Sequence, residues 1–236
     1  MQLHTQEWNP SGSKVAVLIH GIMADTQCWW RVAPYLAEQG YRVIAVDLPG
    51  HGQSPRAEAY TPELFASSVL ESVPANPDLA IGHSLGGLTL AVAVERLMPA
   101  RAVYSDPAFR MAAMPGGPPA AEMMAMMAAV KDSGVEQVAA MHPGWSAEEC
   151  AVEVAMLQYW DPKTILALAD VANDDFTPPV VVPSLVQIAD PSFLITPEFA
   201  EDLVGKGFEV RTVKGAEHTI HRHLFEDFIT GLDGWI

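Results

Sequence analysis

Along the chain, short runs of uninterrupted apolar residues alternate with stretches in which apolar positions recur every three or four residues. The runs are residues 14–20, 42–47, 79–82, 102–105, 184–189 and 209–213, and the helical period occupies 27–39, closed by Gly40, 61–73 and 85–97. Val15-Ala16-Val17-Leu18-Ile19 and Val43-Ile44-Ala45-Val46 lack the alternation of a half-exposed strand, as expected where both faces are covered. The pattern predicts an α/β fold, a mostly parallel sheet with helices on both faces. No internal repeat interrupts it.

The rhythm breaks after Asp106. From there to about Pro183 no strand-like run occurs before Val180-Val181-Val182, and the composition turns to Met, Ala and Pro. This segment reads as a helical insertion. Pro115-Gly116-Gly117-Pro118-Pro119 opens it and Thr177-Pro178-Pro179 closes it. Inside it, Ser146 with Glu149 matches a capping box, and Asp161-Pro162 supplies an N-cap followed by proline at the first helical position. The expected organisation is a core of residues 1–106 and 180–236 with a helical cap at 107–179, lying over the crevice where open α/β sheets bind ligands.

At 236 residues, half of them apolar, the chain is long enough for one large domain. The first eight residues have neither the basic start nor the apolar run of a signal peptide, and no segment approaches a membrane span, which leads us to expect a cytoplasmic protein without a membrane partner. A formal net charge of −16 argues against nucleic acid, whose phosphates require clustered Lys and Arg. Cys28 and Cys150 are expected as free thiols.

The chemistry concentrates at Gly82-His83-Ser84-Leu85-Gly86-Gly87, which follows a strand and opens a helix, the context of a nucleophile elbow. The glycines two before and two after Ser84 let strand and helix approach, and the helix start aims free N–H groups at an anion formed there. With His20-Gly21 upstream and Asp47-Leu48-Pro49-Gly50-His51-Gly52-Gln53-Ser54 between them, the chain resembles the α/β-hydrolase family, in order and approximate spacing, over nearly all of its length outside the cap. The resemblance implies Ser84 as nucleophile, backbone N–H donors at Ile22 and Leu85 as the oxyanion hole, with Met23 competing for the place of Ile22, and a histidine last in the chain after an acid.

His218, just beyond the last strand-like run, is the expected base; His221 and His223 are read as solvated or capping residues, and His51 as holding its turn. Asp190 is the expected acid, with Asp106 as its rival one strand earlier; the glycine that the family commonly has before this aspartate is missing in Gln187-Ile188-Ala189. Serine at the elbow excludes the aspartate-nucleophile dehalogenases and epoxide hydrolases. The resulting expectation is a carboxylic ester hydrolase, needing no metal or cofactor, that acts on a small to medium ester, lactone or thioester. A carbon–carbon bond hydrolase, an acyltransferase and a non-catalytic small-molecule binder remain alternatives.

Eight of the eleven methionines fall in the insertion. They suggest an adaptable apolar pocket, or simply a packed helix face. Trp29, Met127, Trp145 and Trp160 are the candidate substrate contacts. Trp30 is expected to pack beneath the first helix, and Arg110 and Lys131 are the first basic candidates in a segment with few.

Overall fold

A computed structural model of the chain describes residues 1–110 and 120–236. The strands are β1 (Thr5–Trp8), β2 (Lys14–Ile19), β3 (Tyr41–Val46), β4 (Leu79–His83), β5 (Ala102–Ser105), β6 (Ser184–Asp190) and β7 (Glu209–Lys214). They form one sheet in the order β1-β3-β2-β4-β5-β6-β7, parallel throughout except for β1, which runs against β3 from Thr5 opposite Val46 to Trp8 opposite Val43. Strand β1 is the element that apolar patterning misses. Thr5-Gln6-Glu7-Trp8 is a partly exposed edge, and an edge strand needs only one apolar face.

The central strands bury both faces in alternation. Val17, Ile19, Ala80, Tyr104 and Val186 belong to one apolar cluster, and Ala16, Leu18, Ile81, Val103 and Leu185 to the other. The first cluster is completed by α2 (Pro62–Ser72) and α3 (Leu85–Leu97), through Phe65, Val69, Leu88 and Val94. The second is completed by α1 (Val32–Glu38), through Val32 and Leu36, and by residues from the chain's end. Each Val, Leu, Ile or Phe among them contributes about 1.5–3 kcal/mol on removal from water, so the two clusters stabilise the sheet from both faces.

Local chemistry sets the helix limits. Thr61 Oγ1 accepts from the Leu64 N–H at 3.1 Å with Pro62 in the first helical turn, which starts α2 where the sequence places it. The helix expected at 27–39 is two pieces, a 3₁₀ turn over Thr26–Trp29 capped by Asp25 and then α1, which ends before Gly40 at φ +90°.

Between β5 and β6 the described residues form α4 (Ala120–Val130), α5 (Val135–Met141), α6 (Ala147–Leu157), a 3₁₀ turn (Pro162–Ile165) and α7 (Leu166–Ala169). Ser146 Oγ caps α6 by accepting from the Glu149 N–H at 3.1 Å, and Asp161 caps the 3₁₀ turn. The reciprocal half of the expected capping box is absent, because the Glu149 carboxylate is held by Arg222 and Trp30 instead. Met111, Met114 and the Pro-Gly stretch at 115–119 lie outside the described residues. The chain ends through α8 (Pro197–Gly205), α9 (Ile220–His223) and α10 (Phe225–Thr230). No helix among the described residues is long and apolar enough to cross a membrane.

Candidate active site

Ser84 stands at the carboxyl end of β4, in the middle of the sheet, with φ 52° and ψ −115°. A non-glycine residue pays for that left-handed backbone with strain, and the strain lifts the side chain out of the turn into the crevice. The turn closes only because its neighbours have no side chains. A Cβ on Gly82 would strike the Gly86 carbonyl, and one on Gly86 would strike the Ile19 carbonyl. Gly21 is subject to the same demand from the other side, where a Cβ would sit 2.8 Å from His83 Nδ1 and 3.2 Å from Ser84 Cβ. The His20-Gly21 loop is thereby pressed against the elbow. Leu85 opens α3, so its N–H lies in the first turn, which has no intrahelical acceptor.

His218 comes from the loop after β7, and its Nδ1 lies 2.6 Å from Asp106 Oδ2. Asp106 follows β5, the strand beside β4, and is fully buried. Its backbone N–H donates to the Gln187 carbonyl at 2.7 Å and its Oδ1 accepts from the Ala189 N–H at 3.2 Å, so β6 fixes the carboxylate from two directions. With Nδ1–H donated to Asp106, the imidazole is left with a lone pair on Nε2, the form a base requires.

Asp106, not the expected Asp190, therefore holds His218. Asp190 ends β6 with its side chain exposed, and its backbone carbonyl accepts from Gly215 N–H at 3.0 Å at the foot of the histidine loop. Both aspartates end a strand and precede a proline, Pro107 and Pro191, so local sequence alone does not separate them.

His83 buttresses His218. Its Nε2–H donates to the His218 carbonyl at 3.0 Å, and its ring lies 4.7 Å from that of His218. Burial pushes His83 well below the ordinary histidine range, with His218 and His221 adding to the effect, so it is a neutral prop to His218. His51 is likewise held neutral by burial and spans its own turn, Nδ1 to the Pro49 carbonyl at 3.0 Å. His20 locks the adjacent loops, accepting from the Leu48 N–H at 2.9 Å while Nδ1–H donates to the Gly21 carbonyl at 2.7 Å.

A cavity of about 180 Å³ opens over Ser84. It is lined by Ile22, Met23, Ala24 and Cys28 from the segment after β2, by His83, His218 and Thr219 around the elbow, and by His142, Trp145, Glu153, His221 and Arg222 from the insertion and α9, a group termed its far side. That volume is below the 300–1,000 Å³ or so of sites that hold drug-sized ligands, which suits a small substrate.

Of the expected substrate contacts, only Trp145 lines this cavity. Trp29 is fully buried and stacks on His221 at 4.3 Å. Trp160 is buried with its Nε1–H on Thr164 Oγ1 at 2.6 Å, and Met127 packs against the first core cluster. Met124, Met127 and Met156 of the insertion pack against the core clusters, Met126 and Met141 are exposed, and none of these five lines the cavity, whose far side is polar. Arg110 and Lys131 are also committed elsewhere, to Asp175 and Asp202 and to the Trp160 carbonyl respectively. Trp30, expected beneath the first helix, is half-buried and donates to Glu149 Oε1 on α6 at 2.9 Å.

The sequence reading missed His142, Glu153 and Arg222, and it assigned His221 to solvent although the residue is buried. Only the spacing of His218 and His221, three apart across a helix start, hinted that both face the same space. Cys28 and Cys150 are free and buried. Among the described residues no cluster of His, Cys, Asp or Glu has the geometry to hold a metal.

Comparison with known proteins agrees with this architecture. Methylesterase 1 of Arabidopsis thaliana is 38% identical over 89 residues, which is 34% of this chain and 33% of that protein. The pimeloyl-[acyl-carrier protein] methyl ester esterase of Methylococcus capsulatus is 40% identical over 83 residues, 35% of this chain and 32% of that protein. The chain thus matches about a third of the length of these curated relatives. Among solved structures, N-formylmaleamic acid deformylase from Pseudomonas putida S16 superposes with a TM-score of 0.81 at 19% identity, covering 98% of this chain and 95% of that one, which shows a shared fold. The model of the alpha/beta hydrolase family matches residues 16–229, and the chain belongs to that family.

Proposed function

We propose that the protein is a carboxylic ester hydrolase working through an acyl-enzyme on Ser84, with His218 as base and Asp106 as acid. The observation that carries this reading is the 2.6 Å pairing of His218 with the buried Asp106 beside the cavity into which Ser84 also opens. The relatives named as esterases support it.

In this mechanism His218 Nε2 takes the Ser84 hydroxyl proton as Oγ attacks the ester carbonyl carbon. The carbonyl oxygen becomes an oxyanion and accepts from the N–H groups of Ile22 and Leu85, each such donor being worth about 2.7–4 kcal/mol. Asp106 stabilises the imidazolium and keeps the ring in place. The tetrahedral intermediate then collapses, His218 protonates the departing alkoxide, and the acyl group remains on Ser84. Water, deprotonated by His218, attacks the acyl carbon and releases the acid, returning the proton to Ser84. In this account the segment between β5 and β6 acts as the cap that closes the cavity above the nucleophile.

Hydrolysis of a panel of short methyl and aryl esters tests the proposal. Ser84→Ala, His218→Ala and the double variant are expected to lose activity to the same extent, because the residues act as one unit. Additive losses, or turnover of a vinylogous diketone in preference to every ester, would overturn it.

A further inference from the structure

The far side of the cavity has unbalanced hydrogen-bonding capacity. Arg222, on α9, donates to Glu149 Oε2 at 2.8 Å and to the Glu149 carbonyl at 2.9 Å, and its Nη1 pairs with Glu153 Oε2. One cation thus serves two carboxylates and leaves a net negative charge. Glu149 disperses its share, since Trp30 occupies its other oxygen and its side chain is 2% exposed. Glu153 does not: its side chain is 15% exposed, it lines the cavity, and its Oε1 makes no hydrogen bond to the described residues.

Two further groups point to a ligand. His221 lines the cavity, is 1% exposed, and has no hydrogen-bond partner for either ring nitrogen among the described residues. Its ring is clamped between Trp29 at 4.3 Å and Phe228 at 5.7 Å, with His83 at 5.0 Å. Trp145, held under the Arg222 guanidinium at 4.2 Å, has a buried Nε1–H that is also without a partner among the described residues. Orphaned buried groups are costly and uncommon, and a site that binds a polar ligand is one setting in which they persist. A neutral imidazole offers one donor and one acceptor, indole one donor, and the carboxylate acceptors only. A group that both donates and accepts matches this set. An anion does not, because it would face Glu153.

Phe193, 75% exposed and with its ring 4.7 Å from that of His218, does not line this cavity, whereas Glu153, His221 and Trp145 do. An alcohol protonated by His218 and departing past Phe193 would leave the acyl part facing Glu153, His221 and Trp145.

Resting on the esterase reading, we propose that Glu153, His221 and Trp145 bind an uncharged hydrogen-bond-donating substituent, a hydroxyl or carboxamide, on the acyl part of a short ester. The enzyme then favours hydroxyacyl esters over alkyl esters of equal length and discriminates against acyl groups bearing a carboxylate.

The test compares kcat/KM for methyl 3-hydroxybutanoate, methyl butanoate and monomethyl succinate, measured by pH-stat on the full chain. Wild type is expected to favour the hydroxy ester over butanoate by about tenfold or more, a typical yield for a hydrogen bond to a charged acceptor, and to turn over the succinate slowest. Glu153→Gln is expected to collapse the first ratio, chiefly through KM, and to relax the discrimination against succinate. Trp145→Phe, which keeps the ring under Arg222 and removes the donor, is expected to lower the first ratio by several-fold and guards against a folding defect in the Glu153 variant. Equal kcat/KM for all three esters, or a preference for the succinate, would overturn the assignment while leaving ester hydrolysis in place. Turnover of none of them, together with an unlabelled Ser84, would remove the esterase reading and this one with it.

Discussion

Replacing Asp106 with Asn keeps the side chain's size and removes its charge. The carboxylate is fully buried and lies 2.6 Å from His218 Nδ1, so solvent does little to screen its effect on the imidazolium that the proposed mechanism forms in each half-reaction. Two unit charges with centres roughly 4 Å apart at an effective dielectric of about 20 interact by about 4 kcal/mol. At 1.36 kcal/mol per decade this is about a thousandfold in rate. An amide that presents its N–H₂ to Nδ1 also forces the proton onto Nε2, the wrong tautomer for a base, and the combined loss observed for such a change in serine proteases is about 10⁴. We therefore expect Asp106→Asn to lower kcat on p-nitrophenyl acetate by 10³ to 10⁴ or so, with the melting temperature compared in parallel to confirm folding. Asp190→Asn, at an exposed position, is expected to stay within about twofold of wild type. If instead the Asp190 variant loses activity and the Asp106 variant keeps it, the His218–Asp106 pairing does not operate in catalysis.

Three further outcomes follow from packing and charge. Gly86→Ala drives a Cβ into the backbone carbonyl of Ile19 and is expected to cost about 1–3 kcal/mol and to abolish esterolysis by shifting the elbow; an unchanged melting curve would contradict the close approach. Arg222→Met leaves Glu149 and Glu153 facing each other without their cation, a loss of about 3–5 kcal/mol, or roughly 6–20 °C in a thermal melt of a chain this size; an unchanged or stabilised variant would mean that the ion cluster contributes no net stability. His51, His83 and His221 are all pushed well below the ordinary histidine range by burial. In the unfolded chain they protonate near pH 6.5, while in the folded protein they stay neutral, so the unfolded state binds more protons and stability falls as pH drops below about 6.5. Each contributes at most about 1.4 kcal/mol of loss by pH 5.5, some 4 kcal/mol together, and urea titrations at pH 7.5 and 5.5 would read it; stability that holds or rises on acidification would contradict the burial of neutral imidazoles.

How much of this was legible in the sequence depended on whether the signal was local. Strands buried on both faces announce themselves as continuous apolar runs, and Ser84 is marked by glycines whose absence of side chains the turn demands. Helix α3 was legible to the residue because a glycine-eased elbow starts it. The partner of His218 was not, because both aspartates follow an apolar run and precede a proline, and what separates them, the burial of Asp106 and the reach of the His218 loop to it, is a matter of packing that no local pattern encodes. The cavity's far side was illegible for the same reason. His142, Glu153 and Arg222 come from separate elements, and Arg222 becomes meaningful only once the fold brings it from α9 to Glu149 on α6. The methionines of the insertion misled in the opposite direction. Their softness fits a pocket as well as a packed face, and Met127 took the packed face.

The central claim is that Ser84 is the nucleophile, activated by His218 and Asp106. Mapping the covalent adduct of a fluorophosphonate by peptide mass spectrometry tests it most directly. The account predicts a single adduct on Ser84, absent in Ser84→Ala and formed far more slowly in His218→Ala and Asp106→Asn. An adduct on another residue, or none on a folded wild-type protein, would contradict it.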